Sequence, residues 1–295
     1  MALDTVRADW TNVRSVLFVL AAVAIFSLIF ISGRFAGDLA SPFQIMFLRY
    51  AGGFATVMVI SRFQRESWQS LQSRHRISQA MRALVGGLGG SAIIFGNTHM
   101  PLVDANAIGQ LSGVFMLGLG LLIFRERLLP IHIVGSLVCI AGAAVVVAAR
   151  GAFATFDPSY LVPSSIVVVG ALLLAVEGIF IKILASSDRP LVTLAHANFF
   201  GMFLLLVPAV LTWKTTGSAN IALLSLGPLA ILGQYCNIRG YMGASVSLLA
   251  PIGYASLIFA AIWGWLFFME VPSPGVVLGC ALIVIGGTAL ALSRR

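Results

Sequence analysis

The chain has 295 residues, of which 59% are hydrophobic and only 9% charged, against roughly 25% charged in an ordinary soluble domain. With a mean hydropathy of +1.01, it lacks the polar side chains to cover a water-exposed globule, so the composition excludes a soluble domain and requires the bilayer as solvent. The net charge of +8, from 18 Lys and Arg against 10 Asp and Glu, reflects the basic loops of a membrane protein rather than a nucleic-acid surface.

In chain order, the first apolar run, about 14–33, is too long for a signal-peptide core and lacks a small-residue cleavage pattern, so it is predicted as a retained span. Further runs follow at about 42–61, 79–97, 102–123, 130–149, 163–185, 190–213, 219–241, 245–268 and 273–292. At about 20 residues per span, ten helices fill residues 1–295 as one transmembrane domain and leave no room for a soluble one. With the N-terminus in the cytoplasm, fourteen of the 18 basic residues fall inside, Arg82 and Lys182 among them; Arg34, Arg150 and Lys214 fall outside, and Arg49 lies within a span. That asymmetry predicts a multi-pass protein of the cell inner (plasma) membrane with both termini cytoplasmic. Cys139, Cys236 and Cys280 all lie in apolar runs and read as small packing groups.

The two halves of the chain repeat. Glu126, Pro130, Gly135 and Gly142 have the spacing of Glu270, Pro274, Gly279 and Gly286, and Pro42 and Gly53 have that of Pro190 and Gly201. Repeat one covers about 14–149 and repeat two about 163–292, five spans each. An odd number of spans inverts the second copy, giving a pseudo-two-fold axis in the membrane plane. The expected fold is therefore all-α, ten transmembrane helices in two inverted five-helix repeats.

Inverted repeats suit a protein that presents one site to two sides in turn, which points to a transporter. A membrane enzyme would need a catalytic constellation, and the sequence contains no H-E-x-x-H and no P-loop; His75, His99, His132 and His196 are scattered. Gly87 to Ala92 matches a dinucleotide fingerprint but lies inside an apolar helix, where Gly86 and Gly90 read as close helix packing. No cofactor or metal is implied.

The duplicated Glu-x3-Pro-x4-Gly-x6-Gly, the prolines opening spans two and seven, and Arg49 resemble the drug/metabolite transporter superfamily, EamA type. The resemblance covers nearly the whole chain and implies a secondary transporter with a central cavity, exporting amino acids, aromatic ones included, or other metabolites. Two features depart from it. Span nine carries Pro251, whereas the matching stretch of span four, Ala107 to Gln110, has no proline, and Ala197 stands where span seven would match Arg49.

Polar groups inside spans are costly and mark either a cavity or interhelical contacts. Asn97 and His99 close span three, and His99 titrates near neutral pH or is structural. Asn106 and Gln110 share a face of span four, with Asp104 near its outer end. Glu177 in span six has two readings: a proton-coupling or substrate-amine site, or a structural carboxylate paired with Arg49 or hydrogen-bonded in the bundle. Lys182 reads as a side chain snorkelling to the headgroups. Span eight carries Gln234, Tyr235, Asn237, Arg239 and Tyr241, of which Gln234, Asn237 and Tyr241 share a face. Span nine adds Tyr254 and Ser256 beside Pro251, and Trp263, Trp265, Phe267 and Phe268 at its outer end read as an aromatic belt. The expected substrate-binding set is Asn97, His99, Asn106, Gln110, Glu177, Gln234, Tyr235, Asn237, Tyr241 and Tyr254, among spans one, three, four, six, eight and nine. The expected partners are a small-molecule substrate, the lipid bilayer and protons carried by Glu177 or His99, with the chain a monomer or homodimer. Other amphipathic metabolites or drugs are the alternative cargo, and a membrane enzyme or receptor the alternative class.

Overall fold

Four of the ten spans begin on a proline at the first helical turn: Pro42–Phe63 (α2), Pro130–Ala149 (α6), Pro190–Leu211 (α8) and Pro274–Ala291 (α12). Proline is suited there because its missing N–H is one that a helix start leaves unbonded. At α2 the start is reinforced by a capping box, in which Ser41 accepts from the Gln44 amide and Gln44 from the Ser41 amide. The remaining elements are Trp10–Ala36 (α1), Arg76–His99 (α3), Leu102–Gly109 (α4), Leu111–Phe124 (α5), Leu161–Ala185 (α7), Ala219–Gly243 (α9), Val246–Leu249 (α10) and Ala255–Phe268 (α11). The computed structural model describes residues 10–36, 39–100, 102–126, 129–152, 157–215, 217 and 219–293. Arg7, Arg127, Arg294 and Arg295, and the side chain of Arg34, lie outside the described residues.

Span four is α4 plus α5, and span nine is α10, a 3-10 turn over Ala250–Tyr254, and α11. Among the described residues, nine spans are apolar enough to cross a membrane. The tenth, α3, carries Arg76, Gln79 and Arg82 in its first turns, and the bundle rather than lipid receives that face: Gln79 and Arg82 are buried.

The repeat is visible as a two-fold exchange of contacts. On α6 and α12, a methyl group built on Gly142 would lie 2.7 Å from the Gly279 carbonyl oxygen, and one on Gly286 would lie 2.7 Å from that of Gly135. Gly135 and Gly142 correspond in the repeat to Gly279 and Gly286, so one contact maps onto the other when the halves are exchanged. On α2 and α8 the exchange recurs: Gly53 lies against Asn198, and Gly201 against the Tyr50 ring. Only glycine permits such close approach, which is how helices pack without a hydrophobic driving force between them. The termini meet at one end of the bundle, where Asn12 Nδ2 donates to the Ser293 carbonyl at 2.9 Å.

The missing proline in span four does not spare it a break. Gln110 at φ −64°, ψ −16° and Tyr254 at φ −63°, ψ −17° hold equivalent places 144 positions apart, and each starts a new helix segment. At Gln110 the break is an unprolined turn, with the Gln110 amide shared between the Asn106 and Ala107 carbonyls. The symmetry continues to the helix ends, where Arg125 and Met269 both adopt left-handed backbone, φ 49° and 55°.

Candidate substrate cavity

A cavity of about 360 Å³ lies between the repeats. It is lined by α1, α3, the two segments of span four, Arg150 just after α6, α7, α9 and the segments of span nine. Six of the ten expected site residues line it: Asn97, Asn106, Gln110, Asn237, Tyr241 and Tyr254. Their chemistry is neutral and mixed. Gln110 Nε2 donates to Ser256 Oγ at 3.3 Å and Tyr241 Oη to Met116 Sδ at 3.4 Å, while Asn97 Oδ1 and Tyr254 Oη are buried with no hydrogen-bond partner among the described residues. Such groups carry a standing cost that a ligand's own donors and acceptors relieve. Val23, Phe26, Ile93, Leu174 and Leu257 supply apolar walls, and Arg150 and Glu270 are the charged residues of the lining.

These two charges, with Phe268, form a rim at the end of the bundle opposite the termini. Two backbone clamps lie towards the other end. Glu126, in the connection from α5 to α6, accepts from the amides of Val246 and Ser247 at 2.9 and 2.8 Å, capping the start of span nine. Lys182 Nζ donates to the carbonyls of Tyr241 and Ala244 at 2.8 and 2.6 Å, capping the end of α9. The snorkelling expected of Lys182 is therefore corrected: four α9 carbonyls have no intrahelical donor, and the ammonium meets two groups there before it can reach a headgroup.

The other four expected site residues stand elsewhere. His99 is exposed, stacks on Phe95 at 3.9 Å, and bonds the Phe95 carbonyl at 2.9 Å. Tyr235 is 39% exposed, on the outer side of α9. Gln234 is buried and accepts from Asn198 Nδ2 at 3.3 Å, joining α8 to α9. It shares a helical face with Asn237, yet one turn suffices to move it from the cavity into a helix contact.

Glu177 faces α3 instead. Its Oε1 lies 3.8 Å from Arg82 Nε, and Gly86 leaves the room: a methyl group there would meet the carboxyl carbon at 2.5 Å. Arg82, expected among the inner-side topology charges, is 1% exposed within the bundle. Arg49, the expected partner of Glu177, lies over the Tyr50 ring at 4.4 Å. Arg49 also acts on the Glu177 carboxylate through space, and what sequence reasoning missed is Arg82, because it ranked charges by depth along a span and not by the face they occupy. It also missed Ser27 and Phe26. Ser27 accepts from Trp263 Nε1 at 3.0 Å, which removes Trp263 from the expected aromatic belt; Trp265 and Phe267 remain 55% and 50% exposed.

Similarity to known proteins follows the same outline. The pattern of the EamA-like transporter family matches residues 13–148 and again 163–292. The chain is 25% identical over 257 residues to the pseudopaline exporter CntI of Pseudomonas aeruginosa, covering 85% of this chain and 87% of that protein. It is 28% identical over 203 residues to the aromatic amino acid exporter YddG of Ancylobacter novellus, covering 66% and 69%. One solved crystal structure superposes with a TM-score of 0.77 at 21% identity, covering 95% of this chain and 98% of that one, which shows a shared fold.

Proposed function

Because the chain belongs to the EamA-like transporter family, we propose that it is a secondary transporter that exports amino acids or related small metabolites by alternating access. The cavity between the repeats carries the reading: it is about 360 Å³, within the range of small-molecule sites, and is lined by helices of both repeats. Its charges are one of each sign at the rim, and its interior offers amides and hydroxyls beside apolar walls. That lining suits a zwitterion or a neutral amphipathic molecule and disfavours one with net charge, whose desolvation nothing inside would offset. The similarity to an aromatic amino acid exporter supports the same class.

The proposed setting is the inner membrane with both termini cytoplasmic, supported by the bias of Lys and Arg towards the terminus end. The cavity then faces outward. The proposed driving force is the substrate gradient, supported by Glu177 facing Arg82 and His99 bonding its own helix, neither of them in the lining of the cavity.

Purified protein in liposomes tests this directly. Counterflow of a labelled neutral amino acid is expected, and its absence across a panel of neutral amino acids and amphipathic metabolites would refute the reading. Cysteines placed at Gln69 and Thr215 are expected to label from opposite sides, the first from the cytoplasm.

A further inference from the structure

Two polar atoms of residues lining the cavity, Asn97 Oδ1 and Tyr254 Oη, are buried with no hydrogen-bond partner among the described residues, and Tyr254 is only 4% exposed. They stand at different depths. A methyl group on Gly96 would lie 3.6 Å from Ala105 Cβ, which sets the neighbouring Asn97 near the level of Asn106 in span four. A methyl group on Gly113 would lie 3.1 Å from Tyr254 Oη, so that hydroxyl stands seven residues further from the rim. At about 1.5 Å of rise per residue the two levels are about 10 Å apart. A cargo that bonds both groups therefore carries polar atoms roughly 5 Å apart or more, once two hydrogen bonds of about 2.9 Å are subtracted. The amino and carboxyl groups on a single α-carbon are too close together to do so. Between the two levels the wall is apolar: Ile93 meets Gly109 and packs with Leu174, and Leu257 lies about one turn from Tyr254.

We propose that Asn97 and Tyr254 read the two ends of the cargo: the Asn97 carbonyl oxygen accepts from the cargo's ammonium, and the Tyr254 hydroxyl bonds a neutral polar group at the far end of its side chain. An amide oxygen can only accept, which suits an ammonium, whereas a hydroxyl both donates and accepts. The substrate class is thereby narrowed to zwitterions with an apolar middle and a hydrogen-bonding tip. The proposal rests on the transport reading and deepens it. Selectivity comes from what an ill-fitting cargo leaves behind. A molecule without the tip keeps Tyr254 Oη buried and unpaired, and a site built to bond a polar group rejects the analogue lacking it far more strongly than an apolar pocket rejects a missing methylene. The tip is neutral because the charged residues of the lining, Arg150 and Glu270, are at the rim, and a charge at the depth of Tyr254 would lose its hydration without compensation.

Titration calorimetry on the purified full chain, beside counterflow in liposomes, tests it with L-tyrosine, L-phenylalanine and 3-(4-hydroxyphenyl)propionate, which lacks the ammonium. The parent is expected to bind L-tyrosine about tenfold tighter than L-phenylalanine, the scale of one buried hydrogen bond together with the cost of orphaning its partner. Tyr254→Phe deletes a single oxygen and is expected to bring that ratio close to one, while keeping the affinity for L-phenylalanine and the melting temperature of the parent. Asn97→Ala is expected to weaken L-tyrosine and L-phenylalanine by the same factor, about fivefold, and to leave 3-(4-hydroxyphenyl)propionate unaffected. A tyrosine preference that survives Tyr254→Phe overturns the proposal, and that arm decides alone if Asn97→Ala fails to fold. So does an Asn97→Ala protein that keeps parental affinities or loses all three ligands in proportion, and so does a parent that binds L-tyrosine and L-phenylalanine alike or binds neither. A parent without counterflow of any amino acid or metabolite refutes the transport reading itself, whereas a parent with counterflow that is indifferent to the tip refutes only the two-ended recognition.

Discussion

The bundle has two polar regions that follow opposite rules. Between α3 and α7, Arg82 and Glu177 bring full charges together in a space so tight that Gly86 is needed to admit the carboxylate. Between the break in span four, α9 and the span-nine turn, Gln110, Asn237 and Tyr254 bring neutral polar groups together around open volume. The difference teaches that formal charge is a poor guide to function inside this membrane protein. Buried ions must be matched and packed, which fixes structure, while a path for cargo must stay wet, neutral and loosely committed.

Breaking the charged region is expected to have the largest effect. Glu177→Ala strands Arg82 in the bundle and should destabilise the fold by about 3–5 kcal/mol, the usual cost of orphaning a buried ion, seen as a drop in melting temperature with flux per folded molecule preserved. A Glu177→Gln protein that melts like the parent but loses the pH dependence of flux would reverse the comparison and make Glu177 a proton carrier. Replacing both partners, Arg82→Met with Glu177→Met, is expected to recover most of that stability, because apolar groups of similar volume substitute well for a buried pair.

In the cavity the pattern inverts. Gln110→Ala and Asn237→Ala should each cut flux about fivefold, the worth of a neutral hydrogen bond of roughly 1 kcal/mol, with melting temperature unchanged; a large fall in melting temperature at parental flux would make them interhelical contacts. The smallest effect lies in the loops, where charges pair in water. Arg189, bonded to Glu66 at 2.6 Å, together with Ser70, holds the Glu66 carboxyl below its ordinary range. A lowered carboxyl stabilises above its ordinary value, and the benefit is lost as pH falls through the lowered one. Glu66→Gln should therefore slightly lower the melting temperature at neutral pH, and the difference from the parent should vanish in acid. A Glu66→Gln effect as large as that of Glu177→Ala would remove the distinction between buried and exposed pairs.

The fold was readable because lipid leaves few choices: apolar runs of helical length, prolines at Pro42, Pro130, Pro190 and Pro274, and a spacing shared by two halves each carry long-range information in local sequence. The break in span four was not readable, since Gln110 turns without proline and only its correspondence to Tyr254 betrays it. Part of the cavity was legible through Gln110, Asn106, Asn237 and Tyr241, which are polar where lipid would forbid it. Gln234 and Glu177 obey the same rule yet satisfy it against neighbouring helices, and side-chain direction of that kind is set by partners distant in the chain. Arg82 deceived for the converse reason: a basic residue seven positions after His75 looks like loop chemistry, and only the approach of α7 converts it into an interior ion.

The glycine contacts at the axis bear on how such a chain can arise. Gly135 and Gly142 offer α6 a surface whose fitting counterpart is α12, which repeats their spacing in reverse orientation. A fragment ending at Ala149 would thus carry both halves of its own docking geometry, complementary to an upside-down copy of itself. In a gene encoding that fragment alone, one glycine would be counted twice in every assembly, and one substitution would damage two contacts together. Joining two copies in a single chain releases the restraint: each contact can change separately, and one repeat can keep Arg49 while the other holds Ala197.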